Sequence, residues 1–272
     1  HNNGLGASAD LDLIRRIGQA TAKEMAATHI RWNFAPAVSI PQDIRWGRSY
    51  EGYSQESGQV VAMSRAYIEG LLGEDLTDDT SILPSIKHFV ADAATTWGSS
   101  ARLASFLGID GDTDLDVDIS AEDATLANAK VGDDMRRIIE SGAWQLDQGV
   151  SDIDEETLRR VHLPPYKSAI EAGALNVMAS YSTWNSERMH NNKYLLTDVL
   201  KDEFGFKGFV VTDWEGIDQV DPDFYTAVVR CINAGIDMNM VPYHYKRFIE
   251  TLTQAVENGD VPMGRIDDAV RR

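Results

Sequence analysis

Two short apolar runs, residues 176–180 and 208–212, stand on either side of a segment, 194–204, whose apolar positions recur at helical spacing. β-rich runs flanking an amphipathic helix describe a βαβ unit, which implies parallel strands. The alternation extends in both directions. Asp10 followed by Leu13, Ile14, Ile17, Ala20 and Met25 reads as a capped helix. Residues 30–38 read as a strand closed off by Pro36 and Pro41, and 55–72 as a helix with Val60, Val61, Met63, Ala66, Tyr67 and Leu71 at its apolar positions. An apolar strand follows within 83–94. Asp154 opens a helix with two acids in its first turn, which Gly173 ends. Residues 224–234 predict a helix, 235–241 a strand, and 246–272 two helices split at 259–262. Strands alternating with helices predict an α/β fold.

In a parallel α/β sheet, ligands sit beyond the carboxyl ends of the strands. Polar and aromatic residues gather there: Tyr181, Trp184 and Asn185 after the first run, Asp213 and Trp214 after the second. Asp213 ends a strand too apolar to hold a free carboxylate casually. It is either a chemical group or the N-cap of the next helix. Lys87 and His88 stand side by side in another apolar strand, with Asp92 four residues on. Strand alternation sends the first two to opposite faces unless both lie at the strand's end. A lysine inside such a sheet could be a Schiff-base amine. Residues 43–56, DIRWGRSYEGYSQE, interleave aromatics with arginine and glycine and form a polar loop. Arg48 there can grip two adjacent hydroxyls with its fork of donors, or pair with Asp43 or Glu51.

Composition narrows the function. The 272 residues are 43% hydrophobic and 25% charged, which suits one large globular domain. A formal charge of −18 argues against nucleic acid and anionic membranes, which want basic patches, and leaves neutral sugars unaffected. No apolar run approaches the ~18 residues of a membrane span. The lone Cys231 excludes an intrachain disulfide and reads as a buried thiol. Gly4-Leu5-Gly6-Ala7-Ser8-Ala9 fits the loose dinucleotide pattern, but no strand precedes it. Asp110, Asp112, Asp114, Asp116 and Asp118 resemble the start of a calcium loop. Leu115 occupies the required glycine position and Glu122 falls one place late, so a solvated acidic loop is expected, with a structural Ca2+ between Asp110 and Asp118 as the alternative. Residues 121–141 then have a helical pattern.

The segment VMASYSTWN…GFVVTDWEGID resembles the nucleophile region of glycoside hydrolase family 3, the β-glucosidases and exo-β-glucanases, where a strand ending in (S/T)DW presents the catalytic Asp. The likeness covers most of the chain. HNNGLGA is similar to the family's HN-x-GLGA helix start, DIRWGRSYEGY to RDPRWGRCYES, KHFVADAA to KHF-x-GDGGT, and VPMGRIDDAVRR to the closing barrel helix. The resemblance implies a TIM-type (β/α) barrel lacking its first strands. It implies one partial catalytic barrel domain over residues 1–272, with an acidic insertion at about 98–150 and the family's second α/β domain outside this chain.

By the same resemblance Asp213 is the nucleophile. Arg48, Lys87, His88 and Asp92 bind sugar hydroxyls, Tyr181 hydrogen-bonds the nucleophile, and Trp214 lines the sugar pocket. Asp237 is expected to support the site from the end of its strand. The acid/base is expected to be a Glu of the second domain, and Glu187 and Glu215 match no such residue. Ala91, Ala93 and Ala94 replace family glycines around Asp92, where alanine does not easily take positive φ. No histidine lies between His88 and His162, which sets aside the N-acetylglucosaminidase branch. Gln219 stands where some plant relatives have arginine, so subsite preference does not carry over. The expected function is a retaining β-glycosidase removing β-linked glucose from oligosaccharides or β-glucans, with no cofactor or catalytic metal, secreted or periplasmic. The alternatives are a Lys87 Schiff-base lyase and a non-catalytic sugar-binding barrel.

Overall fold

The structure is a computed structural model that describes residues 1–100 and 142–272. The acidic run from Asp110 to Asp118, with its calcium alternative, and the helix expected at 121–141 lie outside the described residues. Helices α1 (Asn2–Ser8) and α2 (Leu11–Ala27) come first, and the Asp10 carboxylate accepts the Leu13 N–H at 2.9 Å as the expected cap. The glycine-rich start is therefore helical and makes no phosphate loop. A Cβ on Gly6 would lie 1.7 Å from the Tyr53 carbonyl oxygen, so glycine is required there for close packing.

Four parallel strands carry the fold: β1 (Trp32–Asn33), β2 (Leu83–Phe89), β3 (Asn176–Ala179) and, after a small hairpin of β4 (Thr183–Trp184) and β5 (Glu187–Arg188), β6 (Phe209–Val211). Their order is β1-β2-β3-β6, with Ile86 opposite Val177 and Val177 opposite Val210. These three side chains are fully buried, as a sheet covered on both faces requires. Helices α3 (Ser57–Leu72), α4 (Pro164–Glu171), α5 (Tyr194–Glu203, wound with π-helical hydrogen bonds) and α6 (Phe224–Ala234) bring Val60, Met63, Tyr166, Leu196, Leu200 and Val228 into the same core. Cys231 of α6 is buried there, as expected. Helices α7 (Tyr245–Glu257) and α8 (Met263–Arg271) close the chain and match the two expected helices.

Two expected strands are shorter than the sequence suggests. Of residues 30–38, only Trp32–Asn33 and a bridge from Ala37 to Lys87 pair, because Pro36 offers no N–H. Of residues 235–241, a single bridge, Met238 to Val211, remains, because the Asp237 and Met238 amides converge on one carbonyl, that of Val210. Asp237 also departs from its expected place. Its carboxylate accepts from Lys201 Nζ at 2.8 Å, from the Val210 N–H at 2.8 Å and from Arg265, so it anchors helices to the sheet and does not support the site.

The segments flanking the undescribed residues are built into the fold. Gly98 N–H donates to the Gln145 carbonyl, Thr96 N–H to that of Val150, and Ser100 Oγ to that of Asp147. Residues 98–100 and 142–150 are thus framework, and the insertion begins later and ends earlier than 98–150.

Candidate active site

The carboxyl ends of β2 and β6 bring the charged residues together. Asp213, two residues past β6, is mostly buried, its side chain 16% exposed. Its Oδ1 accepts the Trp214 N–H at 2.7 Å, and its Oδ2 lies 3.5 Å from His88 Nε2. The next helical turn, Gly216–Gln219, begins after Glu215 with no side-chain cap, so Asp213 does not serve as an N-cap.

His88 lies between Asp213 and the neighbouring strands. Its Nδ1 is 2.9 Å from Asp92 Oδ2, and its Nε2 is 3.2 Å from Arg48 Nη2. A ring carrying its proton on Nδ1 satisfies both, donating to Asp92 and accepting from Arg48. Ser39 Oγ donates to the other Asp92 oxygen at 2.6 Å. Burial pushes the Asp92 carboxyl up, but hydrogen bonds from His88 and Ser39 and the nearby Arg48 outweigh it, so its pKa is lowered. Both Asp92 oxygens are therefore engaged by protein, which makes this residue an orienter of His88 as well as an expected sugar ligand.

Arg48 forms the expected salt bridge to Glu51 and also reaches His88. Its Nε and Nη2 grip Glu51 at 2.7 and 2.9 Å, while Asp43 pairs with Arg45 instead. Burial opposes the Arg48 charge, yet the Glu51 hydrogen bond and charge leave its pKa raised. Nη1 has no partner among the described residues. Lys87 is half-buried beside this group, and its ammonium likewise has no hydrogen bond or ion pair among the described residues. Burial and the Arg48 charge lower its pKa, against the opposing pull of Glu51, Asp213 and Asp92. Lys87 and His88 thus both border Asp213, because it lies at the strand's end.

The loop that carries Asp92 keeps its turn despite lacking glycine. Ala91 sits at φ 62°, in the left-handed region. The carbonyls of Phe89, Val90 and Ala91 are met by Ser180 N–H, Ser182 Oγ and Ser151 Oγ, and Tyr166 Oη donates to the His88 carbonyl at 2.6 Å. The Tyr181 phenol donates to the main-chain carbonyl of Trp214, one residue past Asp213. Trp214 is half exposed and meets Tyr243 edge-to-face with ring centroids 5.7 Å apart. Trp184 and Asn185 stand apart from the site. The Trp184 indole N–H binds the Ile153 carbonyl, and Asn185 forms the hairpin turn between β4 and β5 at positive φ.

Sequence reasoning passed over Ser39, Ser151, Ser180 and Ser182, all buried, and Asp147, whose carboxyl burial pushes up beside Arg48 and Asp92. The Ser-Tyr-Ser run at 180–182, a polar alternation at the end of an apolar strand, was the available signal. Chemically, a carboxylate beside a histidine, with lysine and arginine donors nearby that have no partner among the described residues, suits a neutral polyhydroxyl ligand and charge developing on it.

The sequence model of the glycosyl hydrolase family 3 N-terminal domain matches residues 1–105 and 141–272. The chain belongs to this family. The break in the match, 106–140, agrees with the narrower insertion that the packed flanks indicate. The family's fold is a TIM-type (β/α) barrel, and the sheet β1-β2-β3-β6 is its arc. The chain is 27% identical to the periplasmic beta-glucosidase of Salmonella typhimurium over 98% of its own length and 29% of the relative's. It is 29% identical to the lysosomal beta glucosidase of Dictyostelium discoideum, covering 100% of this chain and 29% of that protein. The crystal structure of an exo-1,3/1,4-beta-glucanase from a Pseudoalteromonas species superimposes with a TM-score of 0.78 at 38% identity, over 100% of this chain and 29% of that one. The chain therefore spans less than a third of the length of these relatives.

Proposed function

We propose that this chain supplies the larger part of the catalytic barrel of a retaining β-glycosidase that removes β-linked glucose from oligosaccharides or β-glucans. The observation that carries the reading is Asp213, an acceptor carboxylate at a strand end, held within 3.5 Å of His88 in a family whose named relatives are β-glucosidases and an exo-β-glucanase. Asp213 attacks the anomeric carbon, the C1–O glycosidic bond breaks, and the departing oxygen takes a proton from an acid. Water then adds to C1, loses its proton to the same group acting as base, and frees Asp213. Arg48, Lys87 and His88 bind sugar hydroxyls, Asp92 orients His88, Tyr181 holds the loop after Asp213, and Trp214 offers an apolar face to a pyranose. The acid/base must lie about 5–5.5 Å from Asp213, and a carboxyl from a second α/β domain of the whole protein fills that role. The names of two relatives, periplasmic and lysosomal, support a secreted or periplasmic location. No helix among the described residues is long and apolar enough to cross a membrane.

The Lys87 Schiff-base reading draws support only from the lowered Lys87 pKa, and the family's named activities weigh against it. The test uses the full-length protein with a 2-deoxy-2-fluoro-β-glucosyl fluoride trap and peptide mass spectrometry. A glycosyl adduct on Asp213 is expected. Sugar binding without an adduct would instead mark a non-catalytic binder.

A further inference from the structure

His190 lies on the turn Met189–Asn191 that follows β5, fully buried, and the mechanism above gives it no part. Its Nε2 accepts the backbone N–H of Asp213 at 3.1 Å. The ring also presses on the far end of the same loop: a Cβ on Gly216 would lie 2.3 Å from Nε2, so only glycine leaves room for it. Between these points the chain closes tightly, with Gly216 N–H donating to the Asp213 carbonyl at 3.0 Å and Glu215 at φ 48°. The Tyr181 ring, centroid 5.5 Å away, covers the imidazole. Because Nε2 accepts, the ring proton sits on Nδ1. That atom is buried and has no partner among the described residues, an arrangement that carries a desolvation penalty and that packing alone does not call for.

We infer that His190 is a positioning residue for the nucleophile, a neutral imidazole that fixes the Asp213 peptide so that Oδ1 stays on the Trp214 N–H and Oδ2 stays beside His88. The inference rests on Asp213 being the nucleophile. Burial, which pushes the His190 pKa down to about 4, keeps Nε2 free to accept at working pH. A carboxylate whose backbone drifts by a fraction of an ångström loses its attack geometry, and such misplacement lowers rates steeply.

The test compares His190→Met, which fills space without an acceptor of this kind, with His190→Gln, whose Oε1 replaces Nε2. Both are made in the full-length protein. Expected for Met are glycosylation of Asp213 by the fluoro sugar slowed about 10- to 100-fold and an unchanged inhibition constant for glucose, with Gln restoring most of the rate. Equal rates in wild type and the Met variant would overturn the inference while leaving Asp213 the nucleophile. So would a parallel loss of rate and glucose affinity in both variants. Failure of the wild type to form an adduct on Asp213 would overturn the underlying reading and this inference with it.

Discussion

The Asp92 carboxylate receives His88 Nδ1 at 2.9 Å on one oxygen and Ser39 Oγ at 2.6 Å on the other, so a loop residue sets the ring that faces Asp213. Replacing Asp92 by Asn keeps the shape, but turns one acceptor into a donor and removes the charge beside His88 and Arg48. A hydrogen bond to a charged group contributes about 1.5–3 kcal/mol, so kcat/KM on an aryl β-glucoside should fall roughly 10- to 150-fold. Ser39→Ala keeps the charge and the His88 hydrogen bond and removes one donor to that carboxylate, so its loss should lie at the low end of that range. Equal losses in the two variants would contradict this ordering.

Ala91 carries the left-handed turn at φ 62° that leads into Asp92. The backbone conformation disfavours an L-residue by about 1–2 kcal/mol, while a glycine would forfeit a buried methyl worth about 0.8 kcal/mol. Ala91→Gly should therefore be neutral to about 1 kcal/mol stabilising in urea titrations. Ala91→Val should be destabilising by more than about 2 kcal/mol, since a β-branched residue at positive φ is a severe outlier. A tolerated valine would mean that the turn can relax.

Acid should loosen this domain through its buried histidines. Burial pushes His162 and His190 down to about 4, against an ordinary value near 6.5. Above about pH 6.5 both states are neutral and nothing is lost. As pH falls from 6.5 towards 4, the unfolded chain binds protons that the folded chain refuses, so stability declines, by at most roughly 3 kcal/mol per histidine. Urea midpoints between about pH 7 and pH 4.5 measure the decline. His162→Phe, which removes one of the two groups, should flatten the slope by about half.

Much of this site could be read from the sequence because its parts lie at strand ends, where apolar runs meet polar clusters. Asp213 after VVT and Lys87-His88 inside an apolar strand stood out for that reason. Arg48 had two rival partners, and the fold shows that a salt bridge to Glu51 and a place at the site are compatible, since the guanidinium divides its donors. The supporting layer was not readable. Ser39, Ser151 and His190 reach the site across tens of residues of chain, and no local spacing marks such contacts. The strand expected at 235–241 failed for a related reason: its apolar pattern records burial, but pairing depends on where the Val210 and Asp237 groups meet.

Asp237 supplies the sharpest separation between fold and chemistry. Its side chain is 1% exposed, with Lys201 at 4% and Arg265 at 14%, and it accepts from both cations and from the Val210 N–H. Three donors on one carboxylate explain how a buried charge is tolerated. Burial lowers the Lys201 pKa to about 8 even so, which marks how far these groups are withdrawn from water. Asp237→Ala would leave two buried cations facing each other. Removing one partner of a buried ion pair costs about 3–5 kcal/mol, and thermal unfolding should report a loss of that order. Asp237→Asn, which keeps an acceptor for one donor, should lose less. Because the cluster ties α5 and α8 to the sheet away from Asp213, whatever Asp237→Asn protein remains folded should label Asp213 at the wild-type rate. A labelling defect larger than the loss of folded protein would place Asp237 back in the site.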